Sequence, residues 1–331
     1  MPDEHRVQIE RIRGWVRQVL VPARFAWTEP LAVEAWQTPE RLPVAAAEAA
    51  GAAMGFAPVR IGWRWGPAWS SCWFRLRGRV PEDATAEPGI ETTLRFSSGT
   101  EALLWWGRDG EREPLHGFDS NRDLCRLGGR VRAGRPVELL VEAACNHWFG
   151  VTAFAWDPIE TQDRWNSPTP GELQRAELVG LRRGVERLIL RLQAACDLLE
   201  TFDASDIRGR RLREAVAAAI RGAGEDDVRD PERLAALEEL LEVCLDGVGP
   251  DAAATRCIAA GHAHIDTAWL WPLAETRRKC LRSFANAMHL LDRHADVRFS
   301  ASQPQQYEWV RQDAPALFER IRAAVAEGRW E

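Results

Sequence analysis

The 331-residue chain holds a single lysine and a single tyrosine, and its seven cysteines include no Cys-x-x-Cys pair. An odd number of cysteines without paired spacing describes neither a disulfide framework nor a thiolate zinc module. Cys196 and Cys244 fall on apolar helical spacings, where a cysteine serves as a small buried hydrophobe. No run reaches the ~18–20 uncharged apolar residues of a membrane span. The opening Met1-Pro-Asp-Glu-His5 lacks the basic-then-apolar order of a secretory leader. A net charge of −6 gives no overall attraction for nucleic acid or anionic membrane. These absences together point to a cytoplasmic protein without nucleic-acid or membrane partners. The near-exclusive use of arginine for positive charge is a compositional bias, not a site.

What is present is an ordinary core-forming mixture, 46% hydrophobic and 28% charged, long enough for about two domains. Tryptophan is the exception. Twelve of the sixteen lie before residue 170, and their flat rings suit either a β core or the C–H face of a sugar.

The periodicity changes three times. Ile9, Ile12, Val16 and Val19 make one face of a helix over 4–20 that stops before Pro22. Residues 22–56 show no clear period, so 1–56 reads as a helix with an extended connection. From 57 to 158 the period is two. Phe74, Leu76 and Val80 alternate with Arg75, Arg77 and Arg79, and the runs 90–96 and 137–142 alternate likewise. Each predicts a strand with one wet face. With hairpin-type turns at Asp109-Gly110 and Gly128-Gly129, the segment predicts an antiparallel β-sandwich. Residues 159–171, rich in Pro and Asn, read as a linker. A helical segment is expected over 172–249. There Leu178, Leu181, Val185, Leu188, Leu192, Ala195 and Leu199 step by three and four, a second helix runs from Ser205 to Arg221, and Asp230-Pro231 opens a third.

Beyond Pro250 the pattern turns to strand and helix in alternation. Cys257–Ala260 is a short apolar strand entering Gly261-His-Ala-His, and a helix carries Leu281, Phe284, Met288 and Leu291. Val297–Ser300 is a second strand, and Asp313 with Pro315 opens a helix carrying Leu317, Phe318, Ile321 and Val325. Two parallel strands do not complete a covered sheet. The expectation for 254–331 is therefore the beginning of an α/β domain, incomplete at Trp330-Glu331.

His262, His264 and Asp266 gather at the end of the first of these strands. In extended chain, residues i and i+2 point the same way, so His264 and Asp266 can face one ion. Imidazole plus carboxylate suits Zn²⁺ or a similar divalent metal with a position left open. Strand C-termini are also where α/β sheets place active sites. The bland alternative is a pair of strand-end histidines bonded to backbone. Asp266 and the following Trp269-Leu-Trp271-Pro272 favour chemistry. Gln303, Gln306 and Tyr307 border this region or simply pack a helix start, and Arg277-Arg278-Lys279 reads as a solvated helix face.

Gly261-His-Ala-His-Ile-Asp-Thr-Ala-Trp-Leu-Trp-Pro-Leu-Ala-Glu-Thr-Arg-Arg-Lys279 resembles the segment that opens the catalytic barrel of glycoside hydrolase family 38 α-mannosidases. Phe299–Trp309 and Glu327–Glu331 are similar to its continuation. Gly62–Phe74, Glu101–Trp105 and Glu142–Asn146 resemble the β-sandwich of the cytosolic/vacuolar-type branch. The implied fold is a multidomain α and β chain: N-terminal helix, β-sandwich, helical segment, and the start of a (β/α)7-type barrel. The resemblance implies that His264 and Asp266 are metal ligands for one divalent ion, Zn²⁺ or else Co²⁺ or another. It places His262 beside the site and makes Trp269 a wall of the mannose subsite. The implied activity is metal-dependent retaining hydrolysis of terminal α-D-mannosyl residues from oligosaccharides in carbohydrate catabolism, by a homo-oligomer. Two further ligands, one of them the nucleophilic Asp, would lie beyond residue 331, as would the general acid, so this chain alone is expected to be inactive. Two rivals remain at this point. One is an amidohydrolase-type metal hydrolase, which also opens with His-x-His. The other is a non-catalytic carbohydrate-binding module built on the Trp-rich sandwich.

Overall fold

A computed structural model describes residues 4–84, 86–107, 110–147, 149–151, 153–203, 205–246 and 259–331. Asp109 of the expected turn, the side chain of Cys244 and residues 257–258 of the expected first strand lie outside the described residues. The chain begins with helix α1 (Glu4–Trp15), a π-helical turn at Val16–Leu20 and a short α2 (Val21–Ala23). Helical structure thus runs through Pro22 rather than stopping before it. Pro22 occupies the first turn of α2, where its missing N–H is not needed.

Residues 22–56 are more ordered than their lack of period suggested. They supply β1 (Phe25–Pro30), β2 (Ala32–Thr38) and α3 (Val44–Met54). There follow β3 (Ala57–Val59), β4 (Arg64–Trp65), β5 (Ser71–Arg79), β6 (Ile90–Ser97), β7 (Glu101–Trp106), β8 (Glu113–Phe118), β9 (Leu124–Arg126) and β10 (Pro136–Ala144). The expected linker forms α4 (Ile159–Trp165) and β11 (Gly171–Glu172), held down by the buried ring of Trp165 against His147. Next comes β12 (Arg175–Arg182).

These strands make two antiparallel sheets, in the order β1-β12-β6-β9 and β3-β2-β5-β10-β7-β8. The sheets face one another across Leu76, Leu94, Phe96, Leu104, Phe118, Val141 and Leu178. Phe74, Phe96 and Phe118 cross this core with ring centroids 5.5 Å apart. Gly128–Arg130 is a 3₁₀ turn that carries the chain from β9 in one sheet to β10 in the other, so it is not a hairpin. Leu178 and Leu181 lie in β12, not on a helix. That strand is buried on both faces, and a doubly buried strand has a continuous apolar run that can imitate helical spacing.

The six-stranded sheet also departs from the one-wet-face expectation. Arg75 and Arg77 keep one end of its outer face in water, but Trp36, Trp73, Leu103, Trp105 and Leu140 on that face are buried. Their cover is α9 (below), together with Ala47 of α3. Most of the N-terminal tryptophan supply is accounted for by such packing, with Trp65 and Trp73 among the most deeply buried side chains.

Helices α5 (Arg183–Thr201), α6 (Ile207–Ala219), α7 (Glu225–Arg229) and α8 (Pro231–Asp246) gather with α1 around Ile12, Leu20, Leu188, Leu192, Leu212 and Leu241. Asp206 caps α6 by accepting from the Arg208 N–H at 2.8 Å, and Asp230 caps α8 by accepting from Glu232 and Arg233 at 3.0 Å. The N-terminal helix therefore belongs with the helical segment rather than forming a unit of its own.

The last part contains β13 (Gly261–His262), α9 (Leu273–Arg293), β14 (Phe299–Ser300), α10 (Pro304–Asp313) and α11 (Pro315–Ala326). β13 and β14 pair in parallel, and Phe299 forms a further parallel bridge to Trp330. α9 lies between this unit and the sandwich. Leu281, Phe284, Ala285 and Met288 share one cluster with Trp73, Trp105 and Trp330. Its Asn286 amide donates to the Gly117 carbonyl at 3.1 Å and accepts from the Gly117 N–H at 2.8 Å. The helix thereby occupies the open edge of β8 as a neighbouring strand would.

Candidate metal half-site and its cleft

β13 ends at His262, and the chain then leaves the sheet for ten residues before α9 begins. Two polar anchors shape this excursion. The Gln306 amide, almost fully buried on α10, donates to the Ile265 carbonyl at 2.8 Å. The Thr276 hydroxyl accepts from the Ala268 N–H at 3.0 Å and from the Trp271 indole at 3.1 Å. Between them Ala268 takes a left-handed conformation, φ 57°, uncommon for a residue with a Cβ. Such strain persists only where the surroundings enforce it.

This excursion brings the His264 Nε2 atom to 3.1 Å from Asp266 Oδ1. Both side chains are exposed. About 3 Å is the separation of two donors each ~2.1 Å from one ion at nearly right angles. The donor set, one borderline nitrogen and one hard oxygen, fits Zn²⁺ or Co²⁺. The half-site thus has both the chemistry and the spacing for a divalent ion, with the remaining coordination positions open to solvent. Trp269 stands three residues on, half-exposed. Its ring contacts Phe149 and Trp271 edge to face at 6.0 and 5.5 Å.

His264 and Ile265 line a cavity of about 240 Å³ whose other walls are Trp271, Lys279, Arg282 and, from the sandwich, Glu101, Asp119 and Arg122. The charges here overturn the solvated-face expectation for Arg278 and Lys279, which are both buried. That face of α9 abuts β7 and β10. Lys279 Nζ reaches Glu101 at 2.6 Å and lies 4.4 Å over the Trp271 ring. Arg282 bridges Glu101 at 2.9 Å and the fully buried Glu275, which Arg41 also meets at 2.9 Å. Arg278 pairs with Glu142. Only Arg277 stays half-exposed, paired with Asp313 at 2.5 Å. Burial alone would raise the Glu101 carboxyl, but Arg282 and Lys279 outweigh it and hold the group below the usual carboxylate range. Burial pulls the Lys279 ammonium down, against the support of Glu101.

His262 goes elsewhere. Its Nδ1 lies 3.0 Å from the Ser300 carbonyl, and its ring borders a second cavity, of about 360 Å³, on the side of α9 that carries His289. The i, i+2 rule does not bring the two histidines together, because the strand ends between them. Gln303 and Gln306 bond to one another and Tyr307 donates to the Ala301 carbonyl at 2.5 Å, so they hold the loop instead of offering groups to the cleft. Sequence reasoning missed Glu101, Asp119 and Arg122, whose approach to His264 requires the sandwich to be folded against α9. No local signal in the sequence marks them.

Comparison with known proteins gives the class. Residues 29–179 match the alpha-mannosidase jelly roll domain, and residues 254–331 match the glycosyl hydrolases family 38 N-terminal domain. The chain is thus similar to the family 38 α-mannosidases over these two segments. It is 33% identical to alpha-mannosidase 2C1 of Homo sapiens over 98% of this chain and 30% of that protein. Alpha-mannosidase G of Dictyostelium discoideum is 27% identical over 82% of the chain and 24% of its own length. An alpha-mannosidase of Saccharomyces cerevisiae is 25% identical over 80% and 24%. The chain thus spans under a third of the curated relatives it matches. Among the described residues no helix is long and apolar enough to cross a membrane.

Proposed function

We propose that residues 259–331 form the opening of a (β/α)7-type barrel, within an enzyme that removes terminal α-D-mannosyl residues from oligosaccharides with retention of configuration. The observation that carries this reading is the pairing of His264 and Asp266, 3.1 Å apart and open to the cleft at the end of a parallel strand. These two residues would hold the ion. When bound, the ion would orient the sugar hydroxyls and offset charge that develops at the reacting ring. This chain's own contribution is positional. Gln306 and Thr276 fix the excursion that carries both ligands, and Trp269 offers its exposed ring to the apolar face of a pyranose. Glu101, Lys279 and Arg282 form a rigid polar floor. The names of the relatives support the substrate class, and a cytoplasmic location and a homo-oligomeric state belong to the same proposal.

Retaining hydrolysis needs two carboxyl groups ~5–5.5 Å apart flanking the bond to be cut. We place the nucleophile and the general acid outside these 331 residues. The divergence of His262 and His264 onto different cavities, and the pairing of Lys279 with Glu101, argue against an amidohydrolase-type site that uses both histidines. The complete polypeptide should hydrolyse an aryl α-mannoside, lose that activity on exhaustive chelation, and lose it at least 100-fold in Asp266→Ala (about 10²–10³ is a common loss for one electrostatic group). Full activity in that variant, or turnover by residues 1–331 alone, would overturn the assignment.

A further inference from the structure

Beside the His264 cavity, and sharing Arg122, Ser283 and Asn286 with it, a second cavity leads to a group of residues that the mannosidase reading does not use. His116 from β8, Cys125 from β9 and His289 from α9 place one ligand-type atom each within 4.8 Å of one another, and all three are buried. They come from both sheets of the sandwich and from the helix that covers it. Neither ring nitrogen of His116 has a hydrogen-bond partner, although the residue is more than nine-tenths buried, and Nδ1 of His289 has none either. The two rings stand 5.6 Å apart at 74°. An imidazole always carries at least one N–H or lone pair in search of a partner. Two of them left open beside a buried thiol are unusual for a native interior.

We infer that His116, Cys125 and His289 form a second, structural cation site for a thiophilic divalent ion of the zinc class, separate from the His264–Asp266 half-site. Two nitrogens and one sulfur suit such an ion better than Mg²⁺ or Ca²⁺. Bonds of ~2.0–2.1 Å to nitrogen and ~2.3 Å to sulfur place ligand atoms about 3.3–3.7 Å apart, so the cluster closes by roughly 1 Å on binding. Binding replaces the Cys125 S–H bond with a metal–sulfur bond and releases the proton to solvent. Burial pushes that thiol up, while Arg130 and Arg293 oppose the shift and ease the loss of the proton. Burial also keeps both imidazoles neutral, His116 pushed down to about 3 and His289 to about 4, which leaves their lone pairs available. The 360 Å³ cavity that His116 and His289 line gives an entry path. An ion there would tie β8, β9 and α9 together across the interface that also carries the mannosidase half-site.

Co²⁺ titration of the 331-residue chain tests this directly. The site should give a sulfur-to-cobalt charge-transfer band in the near ultraviolet that saturates at one ion per chain and is abolished by Zn²⁺. The His264–Asp266 pair has no sulfur and gives no such band, so the two sites report separately. Cys125→Ser should remove the band, His289→Gln should weaken binding at least tenfold, and His264→Ala should leave the band unchanged. Absence of the band, both on titration of the folded chain and after refolding with Co²⁺ present, would overturn the proposal even if a variant fails to fold. So would a band that survives Cys125→Ser or vanishes in His264→Ala.

Discussion

At the scale of single residues, the interface between sandwich and α9 is decided by a few carboxylates. Glu101 and Glu275 each meet three partners, and Glu101 sits at the sheet side of the contact. It accepts from Lys279, from Arg282 and, at 2.8 Å, from the Asn146 amide. Replacing it with glutamine leaves two buried cations short of a counter-charge, a loss of roughly 3–5 kcal/mol by analogy with other broken buried pairs. The pH dependence follows from the depressed carboxyl. Its folded value lies below the 4.5 expected when unfolded, so its stabilisation is complete above about 4.5 and is lost as pH falls through the lower folded value. In denaturant titrations followed by tryptophan fluorescence, the gap between the native chain and Glu101→Gln should be constant above about pH 5 and shrink on further acidification. A gap that widens in acid would contradict the pairing.

At the scale of elements, the contact between β8 and α9 depends on a glycine for space. A Cβ at Gly117 would sit 2.8 Å from the Arg282 Cβ and 3.1 Å from its carbonyl oxygen. Both obstacles belong to the body of the helix, so Gly117→Val must push α9 from the edge of the sheet and break the paired bonds to Asn286. The expected cost is about 1–3 kcal/mol for overpacking, plus the strand-edge bonds, read as a lower denaturation midpoint. A midpoint equal to that of the native chain would show that the helix does not bear on β8. Elements of this kind were unevenly legible. The strands at 71–79, 90–97 and 136–144 declared themselves because polar and apolar residues alternate along them. The start of α8 declared itself through Asp230-Pro231. β12 did not, since a strand covered on both sides loses its alternation, and Leu178 and Leu181 then match a helix by chance; β1, with no buried residue, and β2, only partly covered, carry too little alternation to stand out. The motif around His264 was visible because its residues are adjacent in sequence. The buried roles of Arg278 and Lys279 were not, because their partners Glu142 and Glu101 lie far back in the chain. His116, Cys125 and His289 are likewise brought together only by tertiary structure.

At the scale of the whole molecule, the sandwich and residues 259–331 form one packed body. The outer face of the six-stranded sheet presents Trp36, Trp73, Leu103, Trp105 and Leu140 to one cluster that α9 supplies in large part, with Ala47 of α3 joining it. A fragment limited to residues 25–182 contains every strand of both large sheets and α3, but it lacks α9. It should bind the dye ANS strongly and aggregate, whereas the 331-residue chain should do neither, because an extended apolar patch is seldom left open on a folded protein. A monomeric, dye-silent fragment would mean that the sheet can hide these rings without the helix.

The same face has a consequence in time. During synthesis the last sandwich strand is complete at Arg182, but the helix that covers its tryptophans is complete only at Arg293. At roughly 5–20 residues per second the ribosome needs about 5–20 s to bridge that interval. For that period the indoles of Trp36, Trp73 and Trp105 lack the part of their cover that α9 supplies, and only the neighbouring Arg75 and Arg77 keep that face wetted.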